Sequence, residues 1–582
     1  MSRVWELARR VAPPAVVVAA ATILVSAQPV TSPWWIYADA DGTYSASALN
    51  IISGGHSRYF DHPGLPEQEV LALTFGAVSL AHGGPTRAWA DNEMIHLDRA
   101  RPVFRGWAIF FFIGGAALAY FLLRRLLGHW TWGVAGGLLW LAMPDLTDTL
   151  QIRPDVLLSG LMLLTGFLIV RAYERRSTAL YAVAAGVAGV ALMTKLHSVA
   201  ILPALILAAT LAHPAPGWWR ELRRDARQFA VRHRIGLSVS VITWFALFVI
   251  FNRDHFVPSV HNLHLSLLVL LVLAVLAYAA ATWAVTEHAS NRALRRVFDP
   301  FFLVLAGAFA VGIAIPLSLV LNDSPRVLID TFETLIGRNV NAGITPFKLS
   351  FTDFGAFPLL EVMILLGVAT IAAVVGLVRR TTWPVLWFVA AAVTTLFATI
   401  RLGELRYFAP GYVLAIPAAL WLFRRRSSPA ASPLVWALVA VVVVPTFLHM
   451  HDAANAASAQ ERQANAATQL ADRLLGKNDV ALVSYYTYPL PDTRWWGLVE
   501  DFVDSAPKYP YRFLPDDPRA LQTAANQGLH VTYYIGPVAY PVMQKQSLTL
   551  GTGTYEVEPV PGGRAFANLR IVAVKLLSGP GT

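Results

Sequence analysis

A chain of 582 residues with 56% hydrophobic and 14% charged residues, at a mean hydropathy of +0.51, is too apolar for an ordinary soluble domain. Its net charge of +10 does not mark a nucleic-acid binder, because the arginines flank apolar stretches one after another instead of gathering in one basic domain. No cysteine is present, which excludes disulfides and thiolate-bound metal in any compartment.

Taken in chain order, the first stretch long enough to cross a hydrocarbon core runs over 11–30, behind Arg3, Arg9 and Arg10. Those arginines predict a cytoplasmic amino end. A cleaved signal peptide ending near Val25-Ser26-Ala27 is the alternative, and on either reading the loop 31–104 lies outside. Further spans are expected at 104–123, 130–147, 155–171, 178–194, 198–213, 235–251, 265–287, 301–322, 355–378, 383–400, 411–423 and 433–449, giving a polytopic α-helical membrane protein of about thirteen helices. Alternating the sides puts Arg124 and Arg125, Arg171 with Arg175 and Arg176, the run Arg220 to Arg234, Arg292 with Arg295 and Arg296, Arg379 and Arg380, and Arg424 to Arg426 all in the cytoplasm. One miscounted span would invert every later patch.

Residues 1–449 therefore read as a transmembrane module, and 450–582 as an external soluble α/β domain. Its helix is expected over 454–475, and its strands over 480–486, 531–535 and 569–577. Gly551-Thr552-Gly553 reads as a turn, not as a phosphate loop.

The external loop 31–104 opens with Trp34-Trp35, whose rings suit a membrane interface, and continues with Asp39-Ala40-Asp41. Tyr44, Ala48, Leu49 and Ile52 then recur at helical spacing as far as Gly54-Gly55, so a carboxylate pair is expected at the start of an interfacial helix. Helix capping by Asp41 is the competing structural role. Farther along stands Tyr59-Phe60-Asp61-His62-Pro63-Gly64-Leu65-Pro66. Gly186 leads through Thr194-Lys195 into an apolar run, and Glu404-Leu405-Arg406-Tyr407-Phe408-Ala409-Pro410 precedes a late span.

In these segments the chain resembles the GT-C superfamily of lipid-dependent glycosyltransferases, and within it the branch of the protein O-mannosyltransferases and lipid A aminoarabinose transferases. That branch carries Asp-Glu and an aromatic in its first external loop, where Asp41-Gly42-Thr43-Tyr44 stands here, and an Asp-His-Pro-Pro segment about 20 residues on, where Asp61-His62-Pro63-Gly64 stands. Gly42 replaces the Glu and Gly64 the second Pro. The Thr194-Lys195 span end and Arg406-Tyr407 are similar to two further motifs of the branch, and Arg153-Pro154-Asp155 to one of its external turns. The resemblance covers the membrane body and implies a sugar donor linked to a polyprenyl phosphate, an envelope glycan, lipid or protein as acceptor, and no resident metal or cofactor.

Transfer from a lipid phosphate to a hydroxyl needs a base for the hydroxyl proton, and cations or N–H groups for the charge growing on the departing phosphate. Asp41 is the candidate base and Asp39 its stand-in; a divalent ion held by the two is the open alternative. One base and no covalent nucleophile imply inversion, not the two-carboxylate pattern of glycosidases. Tyr44, Asp61, His62, Arg153, Asp155, Lys195, Glu404, Arg406 and Tyr407 are the candidate substrate-binding residues. Lys195 and Lys348 are the only lysines before residue 450, and both fall on the external side; snorkelling is the alternative role for Lys195. Arg406 lies externally against the positive-inside trend, with Glu404 as a possible ion-pair partner, and the loop from Asp323 to Asp353 adds Arg326, Arg338 and Lys348. Helix capping competes at Asp155. His255, His261 and His264 share a loop but bring no second shell for a metal.

A transporter or lipid flippase is the rival class. Such proteins place ionisable residues or broken helices near the midplane, whereas the expected spans are nearly free of charge apart from Glu361 and Lys195, both near outer ends. A sensor or scaffold would use the external domain but leave the Asp-rich loop idle.

Overall fold

Apolar stretches become helices almost wherever the chain is described. The structure is a computed structural model and describes residues 2–26, 33–55, 64–144, 150–212, 300–320, 356–401, 405–424, 430–483, 490–502, 512–526, 528–537, 547–550, 553–566 and 569–578. The helices in chain order begin with α1 Ser2–Ser26, α2 Thr43–Ile52, α3 Leu65–Leu80, α4 Arg87–Ile95, α5 Leu97–Leu127, α6 Trp130–Leu141, α7 Pro154–Arg175 and α8 Thr178–Thr194. They continue with α9 Leu202–Ala212, α10 Pro300–Val320, α11 Ala356–Val378, α12 Thr382–Arg401, α13 Ala409–Leu422, α14 Pro433–Leu474, α15 Pro491–Phe502 and α16 Pro518–Asn526. The expected spans 235–251 and 265–287 lie outside the described residues, as do the Arg220–Arg234 run, Arg292, Arg295 and Arg296, the loop 323–353 with its cations, and the three loop histidines.

Among the described residues, Leu97–Leu127, Pro154–Arg175 and Glu361–Val378 are long and apolar enough to cross a membrane. Val11–Ser26, Thr178–Thr194, Ser198–Ala209, Val304–Pro316, Thr382–Leu396 and Pro433–Leu448 are shorter apolar helical stretches at expected positions. The expected span 198–213 is interrupted, since a 3-10 turn covers Leu196–Ile201 before α9 begins. Helix α5 starts ahead of its expected edge at 104, with Asp98 in its first turn where a carboxylate meets the positive end of the helix dipole.

The chain divides into two compact units. The first holds Met1–Val25, Phe60–Glu69 and Ala108–His449. Its helices close on small residues: a Cβ on Gly312 of α10 would collide with the Gly186 carbonyl of α8, and one on Gly189 with the carbonyl of Phe309. The glycines near the end of α8 thus let two backbones touch, as small residues do between membrane helices. Buried aromatic tips satisfy main-chain carbonyls, as when Tyr181 Oη donates to Ala208 O at 3.0 Å and Tyr412 Oη to Leu139 O at 2.9 Å. In contrast to the α8–α10 crossing, the space around Gly367 of α11 is open. Gly312→Ala is therefore expected to destabilise the detergent-solubilised protein by about 1–3 kcal/mol through overpacking, and Gly367→Ala to leave its melting temperature unchanged or slightly raised. Equal melting temperatures for the two variants would contradict the close crossing.

The second unit holds Ser26–Tyr59, Val70–Trp107 and Met450–Thr582. Its six strands are β1 Asp479–Val483, β2 Phe513–Pro515, β3 His530–Pro537, β4 Ser547–Leu550, β5 Gly553–Phe566 and β6 Leu569–Ser578, in the sheet order β2-β1-β3-β6-β5-β4. β1 is parallel to β2 and β3, and the other pairings are antiparallel. The expected strands 531–535 and 569–577 fall in β3 and β6 and the first part of 480–486 in β1, with 484–486 outside the described residues, and Leu550 pairs with Gly553. Strand β5 is hidden in the sequence because Pro559, Pro561, Gly562 and Gly563 read as turn residues, and its register against β6 does shift there. Asp492 of α15 accepts the Arg512 and Phe513 amides at 2.8 and 3.2 Å, which ties that helix to β2.

One expectation is corrected by helix α14. The sequence splits it into a span ending at 449 and a polar helix over 454–475, yet it runs unbroken for 42 residues. Residues 446–456 contain neither Gly nor Pro, so the shift from apolar to polar residues changes the helix's surroundings without stopping its backbone.

Candidate functional site

In the second unit the chain enters the Asp-rich segment through a 3-10 turn, Trp34–Tyr37, and a single π turn, Ala38–Gly42, that leads directly into α2. Trp34 and Trp35 are buried inside the protein, so they are core residues and not an interfacial belt. Helix α2 is likewise enclosed, with Thr43 to Asn50 all buried, and it packs against α4 and α15. Arg87 of α4 donates to Asn50 Oδ1 at 2.9 Å and fixes the helix end.

Asp41 is fully buried and directly precedes Gly42, the N-cap position of α2. It faces Arg105 of α5, with Nη2 at 2.5 Å from Oδ2 and the guanidinium side chain only 5% exposed. A buried ion pair of this kind fixes both groups in position, and loss of either charge strands the other. Tyr44 follows one turn later, also buried. The residue after Asp41 has to be glycine here: a Cβ on Gly42 would lie 2.9 Å from both Leu498 Cδ1 of α15 and the Trp34 ring. The Glu that the resemblance leads one to expect has no room. Asp39 lies within the π turn, and its side chain is outside the described set.

In the first unit a second cluster forms. Lys195 closes α8 with extended backbone (φ −162°, ψ 136°), and its ammonium sits 2.6 Å from Asp155 Oδ1 in the first turn of α7. Both side chains are 2% exposed. Asp155 is thus an ion-pair partner and makes no capping bond, and Lys195 is a buried cation, not a snorkelling one. The same ammonium lies 4.2 Å from the centre of the Tyr407 ring, and the Arg406 guanidinium 5.2 Å from it, so two cations share one aromatic face or edge. Arg153, at the N-cap of α7, is buried next to Asp155 in sequence.

The chain reaches this cluster a second time through Gly64, whose φ of +46° suits glycine and whose N–H donates to Thr194 O at 2.9 Å. Proline in that place has no N–H to give, which explains the departure from the Asp-His-Pro-Pro pattern. Three residues on, Glu67 is fully buried in the first turn of α3. Burial pushes its carboxyl up to about 8; the charge of Asp155 adds to the shift, while its own amide and Lys195 oppose it. Burial raises Glu69 to about 8 as well.

Asp61, His62 and Glu404 lie outside the described residues, as do Asp145, Asp148 and Lys348. Of the expected site residues, the structure gathers Asp155, Lys195, Arg406 and Tyr407 in the first unit, and Asp41 and Tyr44 in the second. Sequence reasoning missed Arg105 and Glu67. Arg105 had a signal, an arginine at the outer edge of an expected span, the same anomaly that marked Arg406. Glu67 had none stronger than a carboxylate close behind a motif. Among the described residues no three carboxylate or imidazole groups converge as metal ligands, and an ion at Asp41 would have to displace the Arg105 guanidinium.

Residues 93–224 match the family model of dolichyl-phosphate-mannose-protein mannosyltransferases. No curated protein matches the chain. Among solved structures, it is similar to the oligosaccharyltransferase AglB from Archaeoglobus fulgidus in complex with an inhibitory peptide and a dolichol-phosphate, at 12% identity over 92% of this chain and 70% of that one, with a TM-score of 0.40. It is also similar to ArnT from Cupriavidus metallidurans bound to undecaprenyl phosphate, at 16% identity over 97% and 99%, with a TM-score of 0.30. Scores this low give no residue-to-residue correspondence. The resemblance to the O-mannosyltransferase branch is borne out over residues 93–224, the segment that carries Arg105, Arg153, Asp155 and Lys195.

Proposed function

We propose, from the likeness of residues 93–224 to lipid-phosphate-dependent mannosyltransferases, that this chain is an inverting glycosyltransferase of the membrane. It takes a sugar from a polyprenyl-phosphate carrier on the extracytoplasmic face and hands it to an envelope glycan, lipid or protein. Residues 1–449 form the transmembrane module, with the amino end in the cytoplasm and the working loop at 31–104 outside, and 450–582 an external domain.

In the reaction, Asp41 takes the proton of the acceptor hydroxyl, with Asp39 as the alternative base. The acceptor oxygen bonds to the anomeric carbon as the bond from that carbon to the phosphate oxygen breaks, and the lipid phosphate leaves with the negative charge. Lys195 and Arg406 hold that phosphate, where fixed cations stabilise charge that grows in the transition state. Tyr44, Asp61, His62, Arg153, Asp155, Glu404 and Tyr407 line the sugar and acceptor positions. An incoming hydroxyl shares Asp41 with Arg105, so the guanidinium orients the base.

The observation that carries this reading is the buried Lys195–Asp155 pair inside the matching segment, with Tyr407 and Arg406 against it. A snorkelling lysine has no need of a buried carboxylate and an aromatic face. The test is incubation of the purified protein with radiolabelled polyprenyl-phosphate sugars and envelope acceptors. Release of polyprenyl phosphate with label appearing on an acceptor is expected; saturable solute flux across proteoliposomes with no sugar transfer would overturn the reading.

A further inference from the structure

Among the described residues, Glu67 is the one fully buried carboxylate of the Lys195 cluster that the mechanism leaves unused. Among the described residues neither of its oxygens finds a hydrogen-bond partner in another residue, although the side chain is fully buried. Around it stand Asp155 from α7, Lys195 from the end of α8 and Glu69 from its own helix, each close enough to act on its charge. Lys195 is already neutralised by Asp155 at 2.6 Å. An ionised Glu67 would bring a second negative charge to a site with one ammonium, in a place stripped of water. A neutral carboxylic acid adds no charge but, among the described residues, leaves a strong O–H donor with no acceptor in another residue, which is costly unless a ligand supplies one.

We propose that Glu67 is a ligand-binding residue that works as a protonated carboxylic acid, donating a hydrogen bond to a non-bridging oxygen of the lipid-linked phosphate held by Lys195. The inference rests on the lipid-phosphate reading given above and adds a residue to it. An acid kept neutral by burial can face an anion without repelling it, as a carboxylate cannot. The phosphate then meets one ammonium and one O–H donor.

Binding in this arrangement requires the protonated form, which is present below the raised value near 8 and lost as pH climbs through it. The experiment measures the affinity of the full-length protein in detergent for a short polyprenyl phosphate between pH 7.5 and 9.5, for wild type and Glu67→Gln. Gln keeps an N–H donor and cannot ionise. Wild-type affinity is expected to fall roughly thirtyfold across that range, about tenfold per pH unit once the acid has ionised. The Gln variant is expected to bind within about threefold of wild type at pH 7.5 and to stay flat. Lys195 is common to both proteins, so its own titration would show as a parallel decline. A flat wild-type profile, a parallel decline in both proteins, or a Gln variant that melts like wild type yet has lost binding at pH 7.5 would each overturn the role of Glu67 alone. Wild-type protein that fails to bind the probe at pH 7.5 would overturn the lipid-phosphate reading together with it.

Discussion

Asp41→Asn is expected to lower sugar transfer by at least a hundredfold, since removal of a positioned general base typically costs between about 10² and 10⁴ in rate. The side chain keeps its shape, so the close packing of Trp34 and Leu498 on the neighbouring Gly42 is expected to survive. Its charge does not, and the Arg105 guanidinium, at 5% exposure, loses the carboxylate it faces. A cost of about 3–5 kcal/mol is typical for breaking such a pair, so the single variant is also expected to melt at lower temperature. The double variant Asp41→Asn/Arg105→Gln separates the two effects. It removes both charges, regains thermal stability and stays inactive. A double variant that transfers sugar at the wild-type rate would show that Asp41 serves only to hold Arg105.

The second large effect is expected at Lys195. Lys195→Met keeps the aliphatic reach but leaves Asp155 buried and alone, at a similar cost of about 3–5 kcal/mol. Adding Asp155→Asn restores stability. Affinity for a polyprenyl phosphate is lost in both variants, because neither has the ammonium. Isothermal binding measurements on the stable double variant decide the matter: affinity within threefold of wild type would assign the lysine to the fold and not to the phosphate. Arg406, partly exposed beside Tyr407, is expected to lose much less stability when truncated, since water screens its charge.

Much of the helical body was legible because a hydrocarbon-spanning helix needs a long uninterrupted apolar stretch, and few other structures require one. Spans expected at 155–171, 178–194, 355–378 and 383–400 differ from α7, α8, α11 and α12 by only a few residues at their ends. Legibility fails where the stop signals are tertiary. The 3-10 turn after Lys195 has no Gly or Pro to announce it, and the polar continuation of α14 had no residue to break it. The sequence shows a loop with one helix over 31–104, yet this stretch contains α2, α3, α4 and the start of α5, because α3 is apolar without a strong polar face and too short for a span.

At the candidate site, motif resemblance together with expected side and order points to Asp41, Asp155, Lys195, Arg406 and Tyr407. Their partners were not legible. Pairing Asp41 with Arg105 joins residues 64 positions apart, and pairing Asp155 with Lys195 joins residues 40 apart; no local pattern encodes either. Two departures from the family motifs have local physical reasons that only the fold supplies. Gly42 is packed under Leu498, which lies some 450 residues downstream, and Gly64 gives its N–H to Thr194.

The side of the membrane on which the loop bearing Asp41 works, proposed above as extracytoplasmic, is directly measurable because the sequence has no cysteine. Ala81→Cys puts a single thiol at an exposed position between α3 and α4. Treatment of intact cells with a membrane-impermeant maleimide is expected to label this thiol fully before any permeabilisation. A thiol that reacts only after the membrane is opened would put the loop in the cytosol and contradict the account.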